Sequence, residues 1–319
     1  MMRYCRRIAV VSTLGCLAAL SLSSASAANV RDASGRTVTV NDASRIVSIG
    51  GAVTEILYAL GEGDHLVGVD TTSLFPPEAL KSKPNVGYFR QLSPEGVVGL
   101  NPSVILAIEG AGPKEAVSVL QSASVPLVSI PDKFDGDGII EKVTMIAKAV
   151  DAERKGECLS RIVSNDLAAL ASLRSGIKTP ARVLFILSFV NGRPMVAGRG
   201  TAADGIIRLA GAQNAIDGFE GYKIVNDEAI LNAAPDAVIG MKRAGLDHDA
   251  STIFAHAAFR ETPAAKQGRF FAMDGLYMLG FGPRTARAAR DLSRSLYPKM
   301  TFAELPSEAH DDIGQSCKK

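Results

Sequence analysis

An internal echo restricts the fold of this 319-residue chain more than any other feature. The segments Ser93–Ile105 and Asn226–Val238 follow one pattern. A polar residue is followed two positions later by an acid (Glu95, Glu228), seven positions after that by a proline (Pro102, Pro235), and then by an apolar run. Gly-Tyr stands just upstream of each, as Gly87-Tyr88 and Gly221-Tyr222. The pattern describes a short helix capped by Ser93 or Asn226, stopped by proline and followed by a strand. One copy would be a weak signal. Two copies, one in each half, imply two related lobes.

The surrounding periodicity agrees. Arg45–Ile49, Leu66–Val69, Val104–Ala107 and Pro126–Ile130 are short β-branched runs. Helical spacing over Thr54–Leu60, closed by Gly61, and over Lys114–Ser122 separates them. Strands alternating with helices predict an α/β lobe with a mostly parallel sheet. The rhythm restarts after residue 180, with strands at Arg182–Leu187, Ala237–Ile239 and Arg269–Ala272 and helices at Ala202–Ala210 and Arg284–Leu296. Between the halves, apolar residues recur at helical spacing from Ile139 through Val143, Ile146 and Leu159 to Leu173. This stretch is either one strut joining the lobes or two helices broken near Gly156. The expected organisation is a first lobe over 28–136, a connecting helix over 137–177, a second lobe over 178–298 and an unstructured polar tail over 299–319.

Residues 1–27 read as a cleavable secretory leader. Arg3, Arg6 and Arg7 precede an apolar stretch from Ile8 to Leu22, and Ala25-Ser26-Ala27 supplies a small-residue cleavage site. A lipoprotein reading through Cys16 lacks the usual leucine three residues earlier. Removing the leader lowers the formal charge from +2 to −1, with no basic excess of the kind nucleic-acid binders concentrate. No further apolar run is long enough to span a bilayer, so the mature chain is expected to be soluble and exported. Cys158 and Cys317 remain. An oxidising compartment allows them to pair, but two cysteines make no framework, and they are read as free or incidental.

Catalytic signatures are missing. The sequence contains no Gly-x-Ser-x-Gly elbow, no phosphate loop ending in Gly-Lys-Ser/Thr and no His-Glu-x-x-His zinc motif. His65, His248, His256 and His310 are scattered, which argues against a zinc or manganese binder. Two lobes on one connector create a cleft, a preferred ligand site. Trp is absent, so its walls must come from Tyr, Phe, Met and aliphatic residues. Together these features favour an exported solute-binding protein over a secreted α/β enzyme.

Four segments carry a resemblance: Arg45–Ile56 (RIVSIGGAVTEI), Gly87–Gly96 (GYFRQLSPEG), Ala197–Asp204 (AGRGTAAD) and Leu279–Arg284 (LGFGPR). In these the chain resembles the haem-binding proteins of bacterial ABC importers, within a wider group that captures ferric siderophores and cobalamin, over nearly all of residues 38–298. The resemblance implies a class III periplasmic binding protein fold: two Rossmann-like lobes joined by a long helix. It implies Tyr88 as an axial ligand of ferric haem b. Ferric iron is a hard acid, phenolate is a hard base, and Tyr is a known haem ligand. A phenol ordinarily keeps its proton to about pH 10, so the iron must favour the anion, with Arg90 placed to hydrogen-bond the oxygen. Some relatives stack two haems and use a histidine of the second lobe. By matching Ser-x5-Pro-Met-x-Ala-Gly-Arg that position is Phe189, which implies one haem per chain.

Tyr222, Met273, Tyr277 and Met278 are candidates to pack on the porphyrin face, and Lys242 and Arg243 to meet its propionates. In the wider group, glutamates matching Glu95 and Glu228 dock into arginine pockets of the permease. The implied partners are haem, an inner-membrane permease with its ATPase, and an outer-membrane haem receptor system as upstream donor. The protein is expected to act as a periplasmic monomer. A siderophore or cobalamin binder on the same scaffold is the nearest alternative.

Overall fold

The computed structural model describes residues 27–242, 249–309 and 317. Residues 1–26 of the expected leader, with Arg243, His248 and His310, lie outside the described residues. The first lobe begins with a hairpin of β1 (Ala28–Arg31) and β2 (Thr37–Val40). It continues through β3 (Ile46–Ile49), α1 (Gly51–Ala59), β4 (Leu66–Val69), α2 (Pro77–Ser82), α3 (Pro94–Val98), β5 (Val104–Ile108), α4 (Lys114–Ser122) and β6 (Leu127–Ile130). Its sheet is parallel throughout, in the order β4-β3-β5-β6. The strands are apolar on both faces because both are covered. Ile46, Val104, Leu106 and Val128 pack to one side, while Val47, Ile49 and Ile105 pack to the other.

The stretch read as one connector is two helices, α5 (Gly136–Ala149) and α6 (Glu153–Arg174). The break falls at Val150–Ala152, where Asp151 adopts φ 56°, and not near Gly156. Gly156 has a different role. A Cβ there would lie 2.4 Å from the Ala147 Cβ, so this glycine lets the two helices close on each other as a hairpin. At 22 residues α6 spans about 33 Å at 1.5 Å per residue. It carries the chain to the second lobe.

That lobe comprises β7 (Arg182–Val190), β8 (Arg193–Ala197), α7 (Ala202–Leu209), β9 (Gln213–Asn214), β10 (Tyr222–Ile224), α8 (Asp227–Ala233), β11 (Ala237–Lys242), α9 (Ala250–Ala255), α10 (Ala257–Arg260), α11 (Pro263–Lys266), β12 (Phe270–Asp274), α12 (Gly275–Leu279) and α13 (Thr285–Leu296). Its sheet is mixed, in the order β10-β8-β7-β11-β12, with β9 also beside β7. Strands β7, β11 and β12 run parallel, and the β7-β8-β10 side is antiparallel.

The internal echo is structural. Ser93 caps α3 by accepting from the Gly96 N–H, and Asn226 caps α8 by accepting from the Ala229 N–H. Each helix is followed by a left-handed residue just before the proline, Asn101 at φ 47° and Ala234 at φ 41°. Each turn is bound by an arginine that opens the first strand of its lobe's parallel core. Arg45 donates to the carbonyls of Leu100 and Asn101, and Arg182 donates to that of Ala233.

Two expectations for the tail need correction. Residues 299–309 are not a loose polar extension, because Phe302, Leu305 and Ser307 are buried. Asp166 of α6 accepts from the Ser307 N–H at 2.9 Å and from its hydroxyl. Arg290 of α13 pairs with Glu304 and Glu308, and Arg287 donates to the Ser307 carbonyl. Cys158 and Cys317 are not free; they form a disulfide that ties α6 to the tail. The tail's polar residues bond to charged positions of α6 and α13 that a scan for apolar periodicity passes over.

The clasp should be acid-sensitive. Burial opposes the charge of Glu308, but the Arg290 guanidinium and the Leu305 N–H outweigh it and pull the carboxyl from 4.5 down to about 2. The folded value lies below the unfolded one. The stabilisation is therefore complete above about pH 4.5 and is withdrawn as pH falls towards 2. Allowing for solvent screening, it is on the order of 1–2 kcal/mol. Urea unfolding of wild type should lose about that much between pH 4.5 and 2.5 relative to Glu308→Gln. Parallel pH profiles would contradict the assignment.

Candidate functional site

The carboxyl ends of the parallel strands in the first lobe face the second lobe. In open α/β sheets such ends line the ligand crevice. The loop after β4 is built on a buried carboxylate. Asp70 accepts from the Gly50 N–H (2.9 Å), the Thr72 hydroxyl (2.7 Å) and the Ser73 hydroxyl (3.0 Å). The chain then pairs again with β4 through a Val69–Asn85 bridge. Gly87, at φ 93°, makes the turn that presents Tyr88, a backbone shape that glycine alone adopts freely. Gly112 fixes the far side of the loop, donating to the Phe89 carbonyl and accepting from the Leu92 N–H.

Tyr88 is 36% exposed. Arg90 donates from Nη1 to the Tyr88 Oη at 3.0 Å. The residue between them, Phe89, completes the arrangement. Its ring meets Tyr88 edge-on with centroids 4.9 Å apart, and the Arg90 guanidinium lies 4.5 Å from its centroid. Reading only Tyr-x-Arg missed this platform; an aromatic beside an exposed arginine was the available signal.

Tyr222 opens β10 of the second lobe. Burial raises its phenol above the ordinary value, opposed by the Thr201 hydroxyl, the Ala203 backbone and the charge of Arg90 across the lobes. The Tyr222 ring packs edge-on against Phe185, with centroids 6.3 Å apart. Met273 is half-buried on β12, and Lys242 is exposed at the end of β11. Met278 is completely enclosed in the core, where it packs the protein. Tyr277 is committed elsewhere: its hydroxyl donates to Asp291 at 2.8 Å, and burial, with the Asp291 charge, pushes its phenol well up. Arg243 lies outside the described residues. Phe189 sits on β7 with its ring 5.1 Å from that of His256. Among the described residues no cluster of three or more His, Cys, Asp or Glu could hold a metal ion, and no helix is long and apolar enough to cross a membrane.

The lobes meet along a seam that sequence reading did not assign. Glu55 of α1 is buried and accepts from Arg284 of the second lobe at Nε (3.0 Å), Nη2 (2.9 Å) and the backbone N–H (3.2 Å). The Arg284 guanidinium lies 3.5 Å from the Phe75 ring centroid. Lys142, fully buried on α5, donates to Asp132 at 2.8 Å and to the Phe281 carbonyl at 3.4 Å. A Cβ on Gly51 would strike Leu276, so the backbones approach closely here. One acid inside the apolar helix α1 was the signal for a buried partner.

This architecture, two α/β lobes joined through a long helix, is the class III periplasmic binding fold. The chain belongs to the periplasmic binding protein family, whose model matches residues 46–276. It is 36% identical to the solved periplasmic haem-binding protein BhuT in complex with two haems, over 81% of this chain and 99% of that one, with a TM-score of 0.76. It is 29% identical to YvrC, an ABC transporter substrate-binding lipoprotein of Bacillus subtilis, over 86% of this chain and 87% of that one. A vitamin B12-binding protein of Pectobacterium atrosepticum is 26% identical over 61% of this chain and 70% of its own. The family is that of periplasmic binding proteins and YvrC is a substrate-binding lipoprotein of an ABC transporter, which supports a location outside the cytoplasm for this chain.

Proposed function

We propose that this protein is a periplasmic carrier that captures one ferric haem b between its lobes and delivers it to an inner-membrane ABC importer, without chemistry on the ligand. The observation that carries the reading is the Arg90 hydrogen bond to the hydroxyl of the exposed Tyr88. A phenolic oxygen beside a guanidinium suits a hard ferric centre, because the cation favours the anionic oxygen that iron binds. Tyr222 and Met273 would pack on the porphyrin face and Lys242 would lie near its propionates. Phe189 has no donor atom for a second iron, which is the reason for a stoichiometry of one. Glu95 and Glu228 would dock on the permease, one per lobe. The leader is cleaved after Ala27, the carrier is a monomer, and an outer-membrane haem receptor system supplies the ligand.

Titration of the mature protein with hemin tests this. The expected result is a shifted Soret band saturating at one equivalent, undisturbed by excess aquocobalamin. Saturation at two equivalents would overturn the stoichiometry. Binding of aquocobalamin or a ferric siderophore, with no response to hemin, would transfer the site to the alternative ligand class.

A further inference from the structure

Three of the large apolar side chains that stand exposed cluster around the two echo helices. Val98 of α3 is 37% exposed, Val119 of the neighbouring α4 is 55% exposed and Leu231 of α8 is 42% exposed. Val98 follows Glu95 by three positions, and Leu231 follows Glu228 by three. That spacing puts each pair on one helix face. The adjacent positions, Val97 and Ile230, already supply the buried side. Val98 and Leu231 therefore lie outward with no partner in the core, at equivalent places in the two lobes. In the first lobe, Pro94, Val98 and Val119 line a shallow groove of about 600 Å3 that also includes Glu95.

Charge and apolar surface are continuous here. The Ser93 hydroxyl donates to Glu95 Oε2 at 3.0 Å. The Glu95 N–H and that hydroxyl hold the carboxyl below its usual range, so it is anionic at neutral pH. A matching surface must offer a cation beside an apolar side chain, and must offer it twice, once per lobe. A two-fold permease presents such a repeated surface. A soluble ligand or a lipid headgroup has no reason to repeat.

We propose that Val98, Val119 and Leu231 are apolar anchors that seat against the periplasmic loops of the permease beside the cations that receive Glu95 and Glu228. The inference rests on delivery to an ABC permease and divides the work between the two kinds of contact. Carboxylates steer the encounter and set its salt dependence, whereas desolvated apolar contacts hold the complex and set its dissociation.

The test uses the transporter in nanodiscs and the haem-loaded protein, with association and dissociation rates read across a salt series. The triple variant Val98→Ser, Val119→Ser, Leu231→Ser should dissociate about tenfold faster or more, with an unchanged salt slope, thermal midpoint and haem spectrum. Val119→Ser alone, at the most exposed of the three, should move dissociation in the same direction. Glu95→Gln with Glu228→Gln should slow association and flatten the salt dependence. Wild-type dissociation in both serine variants, with docking lost in the glutamine pair, would overturn the apolar anchors and leave the docking role standing. Wild-type docking in all variants would overturn both.

Discussion

Tyr88→Phe should lower the affinity for ferric haem about 100-fold, or about 2.7 kcal/mol, and change the absorption spectrum of whatever complex forms. The size follows from what is removed. Phenylalanine keeps the ring, its edge contact with Phe89 and the loop held by Gly87 and Gly112. Only the oxygen goes, together with the 3.0 Å hydrogen bond from Arg90. Because Tyr88 is exposed, no core contact is lost and the thermal midpoint should stay put. Arg90→Ala removes a group that acts through Tyr88. Its cost should be smaller, about tenfold, within the usual range for a residue behind a ligand. Equal affinities for wild type and Tyr88→Phe would remove the ligand assignment. Equal losses in the two variants would mean that Arg90 contacts the haem itself.

The largest stability effect should come from the seam. Arg284→Ala leaves the Glu55 carboxylate buried without the two guanidinium donors among its three, and breaking such a pair typically costs about 3–5 kcal/mol. One of the three is the Arg284 N–H, which survives the substitution, so the lower end, about 3 kcal/mol, is expected. The double variant Glu55→Gln, Arg284→Met should recover part of the loss, because it removes the stranded charge along with its partner. Urea unfolding of the three proteins measures this. A cost below about 1 kcal/mol for Arg284→Ala would show that the pair is solvated and that the seam is held instead by apolar contacts, the edge-on Phe134–Phe281 ring pair with centroids 5.3 Å apart and Leu276 against Gly51.

The alternating strands and helices and the lobe-to-lobe echo were legible because short buried strands and capped helices leave local signatures. Lys114–Ser122 is helical over the predicted range, and Ser93 and Asn226 cap where their positions imply. What was missed is long-range. Glu55 and Arg284 are 229 residues apart, and Cys158 and Cys317 are 159 apart. No periodicity announces such pairings. The helix break was misplaced because glycine was read as a stop, whereas Gly156 serves a close helix contact and the chain turns at Asp151. The site was legible in part. Tyr88 and Arg90 stand together as their spacing implies. Met278 was indistinguishable by residue type from a pocket lining, and only packing shows it enclosed.

The most direct test of the central claim is resonance Raman spectroscopy of the hemin-loaded mature protein. Enhanced phenolate vibrations coupled to the iron are expected in wild type and should vanish in Tyr88→Phe. A haem-bound wild type with no phenolate bands, or with bands that persist in the variant, would contradict ligation by Tyr88.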